Sequence, residues 1–185
     1  MKNLIMPPLV LTIICVVISG LLALAYNKTY VDTTGVMTDE LLAGCEEIFG
    51  EGDYEILLDP DAEEKTPVTF DTEGVLSVIT DGGDKCLVEI VEDGYEQEGL
   101  HLLIGINSDG AVEGIYFLEI SETPGLGTKV QDASFIDKLI GFDTETDESS
   151  IDNVTSATYS SEGMKSACRK AVTLYSENKE AIFGD

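Results

Sequence analysis

The sequence reads as an α+β domain, an antiparallel sheet with flanking helices, preceded by one N-terminal transmembrane helix. Three observations lead to this reading. Leu9 to Tyr26 is an apolar run without charge, broken only by Thr12 and Ser19; at about 1.5 Å per residue it spans roughly 27 Å, enough for a bilayer core. Tyr54 to Ile120 is a series of short apolar runs separated by Gly, Asp, Asn and Pro, as strands joined by turns require. Apolar residues at helical spacing stand before and after that series. Consecutive strands with helices at either end make an antiparallel sheet the natural arrangement. A length of 185 residues suits one ordinary domain with an appendage. The expected division is residues 1–26 as membrane anchor and 27–185 as a single exported domain.

The elements follow in order. Thr38-Asp39-Glu40 opens a helix with a cap residue and acids in its first turn; Leu41, Leu42, Cys45, Ile48 and Phe49 form its apolar face, and Gly50 stops it. Strands are expected over Tyr54–Leu58, Gly74–Thr80, Cys86–Val91, Leu100–Ile106 and Ala111–Ile120. Asn107-Ser108-Asp109-Gly110 is a hairpin loop between the last two. Asp132 or Ser134 caps a short helix carrying Phe135, Ile136, Leu139 and Ile140, closed by Gly141. Asp143 to Ser150 is acidic and reads as an exposed loop. A final helix runs from about Ser161 to Ile182, with Met164, Ala167, Cys168, Ala171, Val172 and Tyr175 on its buried side.

Composition excludes several functions. Acids outnumber bases 36 to 10, so the surface repels phosphate backbones and nucleic acid is not a partner. The single histidine, His101, rules out a multi-histidine metal site and leaves only itself for a catalytic triad. Cys15, Cys45, Cys86 and Cys168 form no Cys-x-x-Cys pair, so neither zinc nor iron–sulfur spacing is present; they read as small buried hydrophobes.

The apolar run has Lys2 before it, with Lys28 and then Asp32 after it. The positive-inside bias places the N-terminus in the cytoplasm and the rest outside, a single-pass protein of the cell membrane. A cleaved signal peptide is the competing reading, since Ala23-Leu24-Ala25 has the form of a cleavage site. The run is longer than the apolar core of an ordinary signal, which favours a retained anchor. Both readings export the same acidic domain, because all 36 acids lie beyond residue 31.

Two stretches carry chemistry. Glu122-Thr123-Pro124-Gly125-Leu126-Gly127 is a glycine-rich, proline-stiffened loop leaving a strand, where backbone can approach a ligand. It matches neither the dinucleotide nor the P-loop fingerprint. Asp152-Asn153-Val154-Thr155-Ser156-Ala157-Thr158 is a hydroxyl-rich lead-in to the last helix. Taken alone, the first is a turn and the second a helix cap, a job Ser161 would do equally well. Together they resemble the FMN-binding domain family of membrane electron-transport complexes. Its members include the G subunit of the Rnf complex and the C subunit of the sodium-pumping NADH:quinone reductase. The family's E-T-P-G-L-G loop is matched without change by Glu122 to Gly127, and its D-x-x-[ST]-G-A-T motif by Asp152 to Thr158. Phe135 and Phe142 between the motifs also look like the family. Two positions depart from it: Ser156 stands where the family usually has Gly, and Ser121 where many relatives have His.

The resemblance implies FMN bound covalently through a phosphoester to the last threonine of the second motif, Thr158. It also implies cofactor contacts from Asp152, Thr155, Ser156, Ala157 and the Glu122–Gly127 loop. A phosphodiester charge suits the start of the following helix. Six of the nine bases beyond Tyr26 fall from Lys129 onward, so the last third of the chain is its least acidic part. Leu126, Phe135, Phe142 or Tyr159 would supply an apolar wall for the isoalloxazine. The function implied is an electron-transfer subunit of an ion-translocating membrane complex, a redox carrier rather than a stand-alone catalyst. Its partners are the other subunits and a flavin transferase for maturation. The alternatives are a free-standing exported flavoprotein donating electrons to an extracellular acceptor or reductase, and a non-redox exported binding module.

Overall fold

The computed structural model describes residues 2–29, 35–60, 62 and 66–184; Asp32, the first acid after the apolar run, lies outside them. The chain divides into two compact units, Met1–Thr33 and Thr34–Asp185. The first contains one helix, α1 (Lys2–Thr29). Within it Pro8–Tyr26 has a mean hydropathy of 2.7 and is long and apolar enough to cross a membrane. Residues 8–26 are exposed on every side, with no polar face.

The second unit is a five-stranded antiparallel meander. Helix α2 (Asp39–Phe49) precedes it, capped by Thr38, whose Oγ1 accepts from the Leu41 N–H at 3.2 Å, and ended by Gly50 at φ +91°. The strands are β1 (Glu55–Ile56), β2 (Val75–Thr80), β3 (Cys86–Glu92), β4 (Leu100–Ile106) and β5 (Val112–Ile120). They lie in the sheet in sequence order, each antiparallel to the next. The first strand is shorter than the expected Tyr54–Leu58. Beyond Ile56 the ladder is reduced to a Leu57 N–H bond to the Val78 carbonyl at 2.8 Å and a lone Leu58–Pro67 bridge. Asp59-Pro60 follows at once, and proline supplies no ladder N–H.

Both faces of the sheet are covered, as the near-continuous apolar runs of its inner strands demand. Ile79, Leu87 and Leu103 pack on Leu41 and Cys45 of α2. Gly105 and Gly114 let α2 sit close, since a Cβ at either would come within 2.5 and 2.9 Å of the Ile48 side chain. Val78, Val88, Ile90, Leu102 and Ile104 face the opposite way, onto Met164, Ala167, Cys168, Ala171 and Val172 of helix α4 (Thr158–Phe183). Tyr175 on α4 donates to the Asp84 and Ser108 carbonyls at 3.1 and 3.2 Å, tying down the tips of the β2–β3 and β4–β5 hairpins.

Between β5 and α4 the chain forms a 3₁₀ turn (Gly127–Gln131), helix α3 (Ala133–Leu139) and a second 3₁₀ turn (Glu148–Ser150). Asp132 occupies the cap position of α3, yet neither it nor Ser134 forms a capping bond. The Asp143–Ser150 segment is tethered by Arg169. Its Nη1 donates to the Asp143 and Thr144 carbonyls, each at 2.9 Å, its Nη2 to the Thr146 carbonyl, and its Nε to Glu148 at 2.8 Å. Its guanidinium lies 4.7 Å from the centre of the Phe142 ring. Helix α4 starts three residues earlier than the sequence pattern suggests, at Thr158 rather than Ser161.

Candidate functional site

Two turns of the same design meet at one cleft. In the first, the Leu126 N–H bonds to the Thr123 carbonyl at 3.1 Å, with Pro124 second and Gly125 third at φ +75°. Proline then a residue of positive φ is the signature of a type II turn. In the second, the Ala157 N–H bonds to the Val154 carbonyl at 3.0 Å, with Ser156 third at φ +69°. Serine here holds the left-handed backbone for which glycine is the easier residue.

The cleft between them is about 320 Å³. Thr123, Leu126 and Gly127 line one side; Ser156, Ala157, Thr158, Tyr159 and Ser160 line the other. Thr158 is exposed and is the first residue of α4. Among the predicted site residues the structure therefore brings Thr123, Leu126, Gly127, Ser156, Ala157 and Thr158 together. Pro124 and Gly125 form the exposed outside of their turn, and Asp152 and Thr155 are exposed beside the second; none of these four lines the cleft. Glu122 is buried behind it.

The cap of α4 differs from expectation. Ala157 holds the cap position with no side-chain bond, so no side chain competes for the first N–H groups of the helix. Ser161, expected to serve as a cap, and its neighbour Ser160 do other work. Ser160 Oγ donates to Glu122 Oε2 at 2.7 Å, and Ser161 Oγ accepts from the Val154 N–H at 3.0 Å.

The aromatic wall also differs. Phe135 and Phe142 are buried in the core and line no part of the cleft. Tyr159 and Leu126 do, together with Tyr95, which sequence reasoning missed. The Tyr95 and Tyr159 rings lie 6.3 Å apart at 58°, both largely exposed. A lone tyrosine in the polar loop between Glu92 and Gly99 was the available clue.

Among the described residues no charged side chain lines the cleft. Four of the six bases of the last third of the chain are engaged elsewhere. Lys165 is buried against Glu162 at 2.8 Å, Lys170 pairs with Glu92 at 2.7 Å, Arg169 clamps its loop, and Lys179 donates to the Ser108 carbonyl at 3.3 Å. An anion placed in the cleft would face the helix start rather than a side-chain cation.

His101 Nε2 lies 3.0 Å from Glu89 Oε1, while Ser77 donates to Glu89 Oε2 at 2.6 Å. The serine proton points to the carboxylate and not to the imidazole, so these three make no nucleophilic relay. Burial would raise the Glu89 pKa, but the bonds from His101 and Ser77 outweigh it and hold the carboxyl below its usual range. Burial pushes the thiols of Cys45, Cys86 and Cys168 up to about 12, which makes them inert. Among the described residues no group of three or more His, Cys, Asp and Glu is placed to hold a metal.

Residues 94–173 match the family model of the FMN-binding domain, a stretch that runs from Gly94 into α4 and includes both turns. The G subunit of the ion-translocating oxidoreductase complex of Pseudoalteromonas atlantica is 27% identical over 194 residues, covering 95% of this chain and 89% of that protein. The protein of the same name from Shewanella oneidensis is 29% identical over 106 residues, and that from Shewanella baltica 30% over 106; each alignment covers 51% of this chain and 50% of the relative. The chain thus resembles the FMN-binding domain family, and within it the G subunits of ion-translocating oxidoreductase complexes.

Proposed function

We propose that this chain is a membrane-anchored electron-transfer subunit of an ion-translocating redox complex, carrying FMN as a phosphoester on Thr158. The observation that carries the reading is the position of Thr158, an exposed hydroxyl that lines an uncharged cleft and opens a helix with no capping side chain. The match of residues 94–173 to the FMN-binding domain and the names of the relatives support the same reading.

The residues present fit the group. A cleft of about 320 Å³ falls in the range of small-molecule sites, and its mixture of apolar walls with a few hydroxyls is what a flavin needs. Bound FMN would supply the acceptance and release of electrons. The chain does the rest. Thr158 tethers the phosphate, and the free N–H groups of the first α4 turn face its negative charge. Leu126, Tyr95 and Tyr159 offer apolar surface to the ring system. A tether keeps the cofactor on a domain outside the cell, where a dissociated flavin would be lost. In this reading α1 retains the protein in the membrane with its N-terminus inside and residues 27–185 outside. The other subunits of the complex and a flavin transferase are the partners.

The test is the covalent, fluorescent band that survives denaturing electrophoresis when the chain is made with a flavin transferase. Thr158→Ala is expected to lose it, and Ser161→Ala to keep it. Mass spectrometry of the peptide spanning Ile151 to Lys165 locates the added group. FMN on Ser160, or a band of full strength from Thr158→Ala protein, would count against the reading.

A further inference from the structure

Glu122 ties the walls of the cleft together from behind. The side chain is 4% exposed. Its Oε2 accepts from Ser160 Oγ at 2.7 Å, and its Oε1 accepts from the Glu96 N–H at 3.2 Å. Three glycines make room for it. A Cβ would stand 2.1 Å from Oε1 at Gly94, 2.5 Å from Oε1 at Gly99 and 2.4 Å from Oε2 at Gly127. The segments that meet here are those that form the cleft: the Gly94–Gly99 loop with Tyr95, the Thr123–Gly127 loop with Leu126, and the first turn of α4 with Thr158. Gly163 seals the same junction, because a Cβ there would come within 2.2 Å of the Asp93 carbonyl.

The two oxygens of Glu122 each hold one partner, the Ser160 hydroxyl and the Glu96 amide. Among the described residues no Lys, Arg or His forms an ion pair with it. A carboxyl group without a cationic partner among the described residues is held directly behind the wall of a cleft that no charged side chain lines. In such surroundings a charge acts over longer range than in water.

We propose that Glu122 is a positioning residue for the cofactor and that its buried charge holds the flavin's midpoint potential down. The proposal rests on the reading that the cleft carries FMN. Each electron accepted by the ring adds negative charge to the cleft unless a proton follows it. A fixed negative charge behind the wall opposes that step and favours the oxidised form. Ser160 moderates the effect, since its hydroxyl dipole points at the carboxylate and disperses its charge.

The experiment uses the full chain made with a flavin transferase, its midpoint titrated by absorbance and its thermal melt recorded beside it. Glu122→Gln keeps the shape and an acceptor for the Glu96 N–H but removes the charge; its midpoint is expected to move upward. Ser160→Ala keeps the charge and removes its donor; its midpoint is expected to move downward. A bolt with no electrostatic role would move the two in the same direction, or move neither. Shifts of the same sign, or an unchanged midpoint in folded, flavin-loaded Glu122→Gln protein, overturn the proposal. Should Glu122→Gln fail to fold, a Ser160→Ala midpoint that is unchanged or higher does so alone. Wild-type protein that takes up no flavin overturns the reading of the cleft itself, and this proposal with it.

Discussion

At Ser156 and Gly125 the same backbone demand is met by different residues. Both sit third in a turn, at φ +69° and φ +75°. The left-handed region costs a residue with a Cβ about 1–2 kcal/mol, and glycine nothing in the folded state. Gly125→Val is therefore expected to destabilise by about 1–3 kcal/mol. The cause is conformational and not a clash, because a Cβ at Gly125 would meet nothing within 4 Å. Gly125→Asn should recover most of the loss, since asparagine tolerates this region. Ser156→Gly should leave stability within about 1 kcal/mol of wild type, relief of strain being offset by a looser unfolded chain. Denaturant titration of the three variants checks the set; a loss beyond that from Ser156→Gly would mean that the serine hydroxyl is itself bonded. The two motifs made Thr158 and the loop glycines legible in the sequence. The roles of Ser160 and Ser161 were not legible. A hydroxyl near a helix start reads as a cap until its partner is known, and those partners, Glu122 and Val154, are set by tertiary structure.

At the scale of elements, turn residues did most to make the fold readable. Strand β4 has the bounds expected from its flanking Gly99 and Asn107, and α2 those expected from Thr38 and Gly50. What periodicity could not supply was the shortness of β1 and the early start of α4, where Thr158 and Tyr159 are exposed and carry no apolar signal. The sheet also holds a polar cluster that no local pattern announces. Ser77 on β2 pairs directly with Glu89 on β3, and His101 on β4 reaches the same carboxylate along the diagonal. Because the folded-state pKa of Glu89 is depressed, its contribution to stability is present above the unfolded value, about 4.3. It is lost as pH falls through the folded value. Glu89→Gln is thus expected to cost on the order of 1–3 kcal/mol at neutral pH, and the gap from wild type should close in acid below about pH 4. Melting curves of both proteins across that range give the answer; a gap that stays constant with pH would remove the charge from the explanation.

For the whole molecule, an uncharged span and an acidic domain must belong to different surroundings. All 36 acids lie beyond Tyr26, whereas Pro8–Tyr26 carries no charge. Full-length protein is expected to stay with membranes after an alkaline carbonate wash, and a mature N-terminus near Tyr26 would show instead that the segment is removed. The order of the strands has a further consequence, in time. Each strand pairs with its neighbour in sequence, and from β2 onward the sheet grows by closing short loops. The Glu122–Ser160 bond joins residues 38 apart, across everything between β5 and α4. Long closures cost entropy, so the docking of α4 is expected to follow the sheet, and the cleft, which needs the first turn of α4, to form with it. Ser160→Ala should then quicken unfolding in stopped-flow mixing and leave the refolding rate nearly unchanged. Until its final helix docks, the chain is a finished sheet whose two turns have not yet met.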